Sequence, residues 1–329
     1  IDDGKPVKGL FDRTLENHAL ITGNIVFNVP MGFSMLLEGL RKDADLRKRF
    51  FENLDMVFYA GASLPQDVWE GFETLAMEVK GEVPLMTSSW GLTETAPATM
   101  IQQEPTESSG VIGVPMTGVT LKLIPDSDMR CEVRAKGPNI MNGYFEDPAK
   151  TAAAFDDEGY FITDDAMAFV DPNDANRGMR FDGRLSEDFK LQSGTWVRAA
   201  GLRLEMLSTL APFVADLVVT GQDRNEIGLM IFPNREAIQA AGYTLDDDNG
   251  AYVCPKLRAD LEHRLKERAA GTSGSSTHVA RAIVLAEPQS LVDGEITAKG
   301  NLNFRTVLTR RADLVTRLYN NDAAGIAKL

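Results

Sequence analysis

Twice near the start of this chain, a short apolar run meets a turn and then a stretch with helical periodicity. That alternation constrains the fold more than any other feature. Ile25–Val26–Phe27–Asn28–Val29 reads as a strand stopped at Pro30. Phe33, Met35, Leu36, Leu37 and Leu40 follow at the spacing of an amphipathic helix. Leu54–Asp55–Met56–Val57–Phe58–Tyr59 is a second strand, running into Ala60–Gly61–Ala62–Ser63–Leu64–Pro65. The pattern Val68, Trp69, Phe72, Leu75, Val79 then predicts a second helix. Strand–helix repeats of this kind favour a mostly parallel α/β sheet with ligand turns at its strand ends.

A third run, Pro84–Leu85–Met86–Thr87–Ser88–Ser89, enters Trp90–Gly91–Leu92–Thr93–Glu94. Gly91 lets backbone approach closely. Thr93 could donate to a phosphate oxygen, Glu94 could hold a hard cation such as Mg²⁺, and Trp90 offers a flat face to a base. An ordinary surface loop fits the same five residues equally well. The Asn28–Phe33 turn likewise fits either a ligand surface or a capped βα unit.

After Thr99 the style changes. Gly and Pro punctuate short strands at 119–124 and 130–135, and Lys136–Gly137–Pro138–Asn139 leads to Gly143–Tyr144. A small β-rich subdomain is expected there, mostly as scaffolding. Tyr160–Phe161–Ile162–Thr163–Asp164–Asp165 ends in two carboxylates, which suit either paired hydroxyl donors or a solvated acidic turn.

The remainder predicts a compact α+β domain. Ala215–Thr220 and Glu226–Phe232 read as paired strands, 255–269 as a charged helix, Val279–Leu285 as a strand and 304–319 as one amphipathic helix. Trp196 is expected to pack on that domain's core. The chain of 329 residues is long enough for such a division. Its net charge of −14 argues against nonspecific binding to nucleic acid or an anionic membrane, so neither partner is expected. Cys131 and Cys254 stand far apart and His18, His263 and His278 are scattered, so no zinc pattern forms. A reduced, cytoplasmic setting is expected.

Taken in order, these motifs resemble the acyl-adenylate-forming superfamily of acyl-CoA synthetases, luciferases and peptide-synthetase adenylation domains. The resemblance runs over essentially the whole chain. It implies the C-terminal part of the large α/β adenylation domain at 1–104, a β-rich barrel-like subdomain at 105–183 and a mobile α+β C-terminal domain at 184–329. It places Trp90, Gly91, Thr93 and Glu94 at adenine, the α-phosphate and Mg²⁺, with Gly61 and Ala62 beside adenine and the acyl group. It makes Asn28, Val29, Pro30 and Phe33 the acyl-pocket candidates. Asp165 takes the ribose position, with Asp164 standing where the family usually has Gly.

The same resemblance brings Arg184 to ribose or phosphate. Ser186 and Glu187 fall at the hinge, although one extra residue precedes Gly194 relative to the common spacing. Lys190 supports the nucleotide loop or is a plain solvent lysine. Gly194 adjoins the pantetheine channel of coenzyme A or forms a tight β-turn. In Asp293–Gly294–Glu295–Ile296–Thr297–Ala298–Lys299–Gly300, Lys299 takes the catalytic position.

The passage EDFKLQSGTWV is similar to feruloyl-CoA and related aromatic-acid ligases. The implied reaction consumes ATP, releases AMP and uses a carboxylic acid, a hydroxycinnamate by preference, with coenzyme A. A medium-chain or benzoate-type ligase, or an inactive nucleotide-binding fragment, is the alternative. The family's Ser/Thr/Gly-rich phosphate loop is expected in an N-terminal region preceding this segment, which alone is expected to be inactive.

Overall fold

The computed structural model describes residues 9, 11–126, 130–271, 274–297, 301–320 and 325–328. It divides into two compact units between Asp182 and Gly183.

The first unit begins α1 (Asp12–Leu20), β1 (Ile25–Asn28), α2 (Pro30–Lys42), α3 (Ala44–Glu52), β2 (Met56–Ala60), α4 (Gln66–Lys80) and β3 (Leu85–Trp90). Each helix has a local cause. Pro30 sits in the first turn of α2, where its missing N–H costs nothing. The Asp43 carboxylate accepts from the N–H groups of Asp45 and Leu46 and starts α3. Gly81 stops α4 in the left-handed conformation. Phe33, Leu36, Leu37 and Leu40 of α2 and Val68, Trp69, Phe72 and Leu75 of α4 bury their stripes over Val26, Val57, Tyr59 and Met86 of the strands. Phe33, Phe50 and Phe51 surround Phe72 at ring-centroid distances of 5.5, 6.2 and 6.1 Å. The three strands are parallel, as the strand–helix alternation predicts.

The chain continues with β4 (Met100–Ile101), β5 (Val111–Pro115), β6 (Thr120–Pro125), β7 (Arg130–Lys136), α5 (Pro148–Ala153), β8 (Phe161–Phe169) and β9 (Met179–Arg184). These strands do not close a separate sheet. One nine-stranded sheet runs β1-β2-β3-β4-β5-β9-β8-β7-β6. It is parallel only across β1, β2 and β3, while β3–β4, β4–β5, β5–β9, β6–β7 and β7–β8 pair antiparallel, so the mostly parallel sheet expected from the alternation is confined to one end. The boundary expected near residue 104 is therefore crossed by a continuous ladder. β5 is the splice, pairing with β4 at 114–115 and with β9 at 111–113.

The second unit holds β10 (Phe189–Lys190), β11 (Trp196–Val197), α6 (Ala199–Thr209), β12 (Val214–Thr220), β13 (Ile227–Pro233), α7 (Arg235–Ala240), β14 (Asp246–Asp248), β15 (Ala251–Val253), α8 (Pro255–Ala270), β16 (Val279–Val284), α9 (Phe304–Arg310), α10 (Ala312–Leu318) and β17 (Ile326–Lys328). Its main sheet runs β12-β13-β16-β17. β13 is buried on both faces. Ile227, Leu229 and Ile231 pack with α6 and α8, while Met230 and Phe232 pack with α9 and α10. The period-2 alternation of one strand thus fills two cores.

Two expectations need correction here. The single helix expected at 304–319 is two helices, broken where Arg311 leaves helical geometry at φ −104°, ψ 32°. The Arg311 side chain turns inward to the Glu287 and Pro288 carbonyls and to Glu295. Trp196 is not a core residue; it is 58% exposed.

Glu295 is fully buried. It accepts from Arg311 Nε at 2.8 Å, Arg311 Nη2 at 2.7 Å and the Ser290 N–H at 2.9 Å. Burial opposes its ionisation, but these bonds and the charges of Arg311 and Arg310 outweigh it and bring the pKa down from 4.5 to about 2. A depressed carboxylate stabilises the fold above its unfolded pKa and loses that contribution as pH falls through the folded value. The second unit should therefore weaken between pH 4.5 and about 2. Glu295→Gln should cost on the order of 3 kcal/mol at pH 7 and little at pH 2. Urea midpoints at the two pH values read this directly.

Candidate nucleotide site

The end of β3 is held from several sides. Thr87 Oγ1 donates to the Gln102 carbonyl at 2.5 Å and Ser88 Oγ to the Val111 carbonyl at 2.7 Å. Both hydroxyls are buried, so each offsets its own desolvation by a bond to β4's continuation or β5. After Trp90 the chain turns sharply through a 3₁₀ turn at Thr93–Thr95. Thr95 Oγ1 accepts from the Leu92 N–H at 2.8 Å and donates to the Pro97 carbonyl at 2.7 Å. A Cβ at Gly91 would lie 1.7 Å from the Pro97 oxygen. Gly91 is therefore required by the loop's own closure. Thr93 is exposed and Glu94 half-buried.

A second segment braces this turn. Asn139 Nδ2 lies 3.0 Å from the carbonyls of both Thr95 and Ala98, and the Met141 N–H donates to the Glu94 carbonyl at 2.9 Å. Tyr144 Oη donates to Glu94 Oε1 at 3.1 Å. Burial, then the Glu94 carboxylate, raises the Tyr144 pKa and keeps the phenol a donor. Lys150 Nζ stands 3.8 Å above the Tyr144 ring. Sequence reasoning reads Lys136–Tyr144 as scaffolding and misses Thr95, Asn139 and Tyr144 as partners of the turn. The only signal is the density of Asn, Gly and Tyr in that passage.

β8 supplies the opposing group. Its pairing with β7 shifts register, with Glu132 opposite Ala166 but Arg134 opposite Ile162. The extra residues form a bulge at 163–165, and Asp164 sits in it with φ +62°. The aspartate standing at the usual glycine position keeps a left-handed backbone, which Asp tolerates better than most residues. Thr163 Oγ1 anchors the bulge on the Val133 carbonyl at 2.5 Å. Asp165 is buried and its Oδ2 accepts from Trp90 Nε1 at 2.8 Å.

The other first-unit candidates lie on neighbouring strand ends. Asn28 Oδ1 accepts from the Val29 N–H at 2.9 Å, Val29 is exposed, and Pro30 is buried at the start of α2. Phe33 is fully buried against Phe72, so it presents no surface to an acyl group in this segment. Gly61 and Ala62 are exposed, and Gly61 adopts φ +89°. Glu94 suits Mg²⁺, which takes one or two protein carboxylates and fills its other sites with water and phosphate oxygens. Among the described residues no cluster of three or more His, Cys, Asp or Glu is assembled.

The second unit carries Arg184, exposed at the end of β9, and then Ser186 and Glu187 in a 3₁₀ turn at Leu185–Glu187. Asp188 Oδ1 accepts from the Ala199 N–H at 3.2 Å. Lys190 pairs across the β10–β11 hairpin with Trp196, and its Nζ stands 4.9 Å from that ring centroid. Gly194 closes the hairpin with φ +84°, and nothing lies within 4 Å of where its Cβ would be. Lys299 lies outside the described residues.

Residues 13–145 match the family model described as AMP-binding enzyme. A protein of Arabidopsis thaliana described as "probable acyl-activating enzyme 16, chloroplastic" is 24% identical over 277 residues, covering 79% of this chain and 37% of its own length. A chloroplastic long-chain-fatty-acid–[acyl-carrier-protein] ligase of the same plant is 24% identical over 274 residues, covering 79% of this chain and 35% of its own length. The chain thus spans little more than a third of these curated relatives. The A domain of a carboxylic acid reductase from Segniliparus rugosus, solved with AMP and a co-purified carboxylic acid, superposes with a TM-score of 0.70 at 19% identity, covering 94% of this chain and 49% of that one. The fold is that of these adenylation domains, and the family match lies in residues 13–145 of the first unit.

The two glycines at strand ends should respond differently to alanine. At Gly61 the nearest atom to an added Cβ is 4.0 Å away, so only the dihedral is strained. Gly61→Ala should cost about 1 kcal/mol. Gly91→Ala drives a methyl into a backbone carbonyl and should cost about 3 kcal/mol. Urea unfolding midpoints of the two variants check the order.

Proposed function

We propose that the protein carrying this segment is an ATP-dependent carboxylic acid:coenzyme A ligase working through an acyl-AMP intermediate. One observation carries the reading. The buried Asp165 carboxylate is bonded to Trp90 directly at the head of the Thr93–Glu94 turn, although the two lie 75 residues apart. A hydroxyl, a half-buried carboxylate and an anchored acid are groups an adenylate needs; the Trp90 ring, 7% exposed inside an apolar cluster, does not offer the flat face to a base that its sequence position suggests.

In the first half-reaction the substrate carboxylate attacks the α-phosphorus of ATP and pyrophosphate leaves. Thr93 donates to the α-phosphate and Asp165 accepts from the ribose hydroxyls, with Gly61 and Ala62 beside the adenine. Glu94, oriented by Tyr144, is the proposed Mg²⁺ ligand; the ion would offset negative charge on the phosphates. Lys299 would stabilise the charge that builds as the new bond forms. In the second half-reaction the thiol of coenzyme A attacks the acyl carbonyl and AMP leaves. Arg184 and Lys190 are proposed contacts of the nucleotide, Ser186 and Glu187 the hinge, and Gly194 the residue beside the pantetheine arm. The open space around Gly194 suits that last role.

For the acyl group we favour a hydroxycinnamate, on the resemblance of EDFKLQSGTWV to aromatic-acid ligases. Asn28 and Val29 are the acyl-pocket candidates left at the surface. A fatty-acyl ligase is the second reading, favoured by the activity named for the plant relative.

The test uses the full-length protein. Labelled pyrophosphate exchange into ATP and acyl-CoA formation, followed by mass spectrometry, are measured with ferulate, benzoate and decanoate. Ferulate should lead. A clear lead for decanoate transfers the protein to the second reading, and no acid-dependent exchange with any acid contradicts the ligase assignment. Lys299→Ala should slow adenylation by roughly 10²–10³-fold, by analogy with loss of an oxyanion donor. Transfer from supplied acyl-AMP should be far less affected, and equal loss of both rates in a folded variant removes Lys299 from its role.

A further inference from the structure

Trp90 and Asp165 belong to β3 and β8, which are not neighbours. The order β3-β4-β5-β9-β8 puts three strands between them. Their bond therefore crosses the face of a curled sheet. Trp90 is 7% exposed and Asp165 is 2% exposed. The indole also packs among Met100, Ile112, Val133, Met167 and Met179. On β8, Thr163, Asp165 and Met167 are all buried, so the carboxylate lies at the margin of an apolar cluster. Its chain direction is unusual as well, because the bulge at 163–165 re-aims the strand where Asp165 begins.

A carboxylate placed there needs a donor to fix it. A hydrogen bond to an ionised acceptor is about twice as strong as a neutral one, and the indole N–H is a donor only. At 2.8 Å it holds Oδ2 in one orientation. A phenylalanine at this position keeps the apolar packing and loses the donor. A tyrosine moves its polar atom to the ring's far end, away from where Nε1 sits. The indole is thus matched to Asp165 chemically, not only by size.

We infer that Trp90 is a positioning residue for the sugar of the nucleotide. Its N–H sets the rotamer of Asp165, and through it the discrimination between ribose and deoxyribose. This rests on the proposed contact of Asp165 with the ribose hydroxyls. It differs from a base-stacking role, because the effect runs through the indole nitrogen and not through the ring face.

The experiment measures acid-dependent pyrophosphate exchange by the full-length protein with ATP and with 2′-deoxy-ATP. Wild type should favour ATP. Trp90→Phe should raise the KM for ATP roughly tenfold or more, the equivalent of one charge-assisted bond. The kcat should change less, and the ATP to 2′-deoxy-ATP preference should shrink by a similar factor. Asp165→Asn should abolish the preference, and adding Trp90→Phe to it should change the preference no further. Replacement of Trp90 by benzothienylalanine, which has the indole's shape with sulfur in place of N–H, should reproduce the Trp90→Phe result. It decides the question if the phenylalanine variant does not fold. An unchanged nucleotide preference in that isostere, with Asp165→Asn still abolishing it, overturns the role of Trp90 alone. A wild type that ignores the sugar, and an Asp165→Asn variant that leaves exchange unchanged, overturn the ribose contact itself.

Discussion

A buried carboxylate held by an indole N–H constrains the whole first unit. At 2% exposure the Asp165 carboxyl is a buried polar group, and leaving such a group without hydrogen-bond partners costs about 1–3 kcal/mol. The Trp90 N–H therefore ties the end of β3 to the bulge of β8. The intervening ladder of β4, β5 and β9 must curl to allow that contact. Buried hydroxyls on Thr87 and Ser88 keep β3 in register with the β4–β5 segment, and Asn139 and Tyr144 fix the turn beyond β3. The candidate site is thus a set of strand ends held by side-chain bonds, with few degrees of freedom left for Thr93 and Glu94.

Much of this is legible in the sequence. The strand–helix alternation announces a parallel sheet, and β1, β2 and β3 are parallel. The β13 run is legible because a strand buried on both faces is apolar throughout. Effects of distance escape. Nothing local tells that Trp90 and Asp165 meet across three strands, or that Asn139 reaches back to Thr95 and Ala98. The break at Arg311 is invisible because its cause, the buried Glu295, lies outside the helical repeat. Trp196 misleads for the opposite reason: a large aromatic is ordinarily core, but here it stands exposed across a hairpin from the Lys190 ammonium.

The glycines show why a residue type alone underdetermines its role. In the sequence Gly91 reads as room for a ligand, and the structure gives a nearer reason in the Pro97 carbonyl. Gly194 reads as either a channel or a tight turn, and the hairpin geometry accounts for the turn at once. Asp164 makes the converse point. It keeps φ +62° without being glycine, so the backbone shape at the bulge is set by its surroundings.

The central claim is that the turn after β3 and the bulge of β8 form one nucleotide site. A crystal structure of the full-length protein with an acyl-sulfamoyl adenosine, a stable mimic of acyl-AMP, tests it most directly. The account predicts the ribose hydroxyls within hydrogen-bond distance of Asp165, the sulfamoyl oxygens at Thr93, and the Trp90 indole still bonded to Asp165. A ligand whose ribose is held elsewhere, with Asp165 buried and untouched, would contradict it.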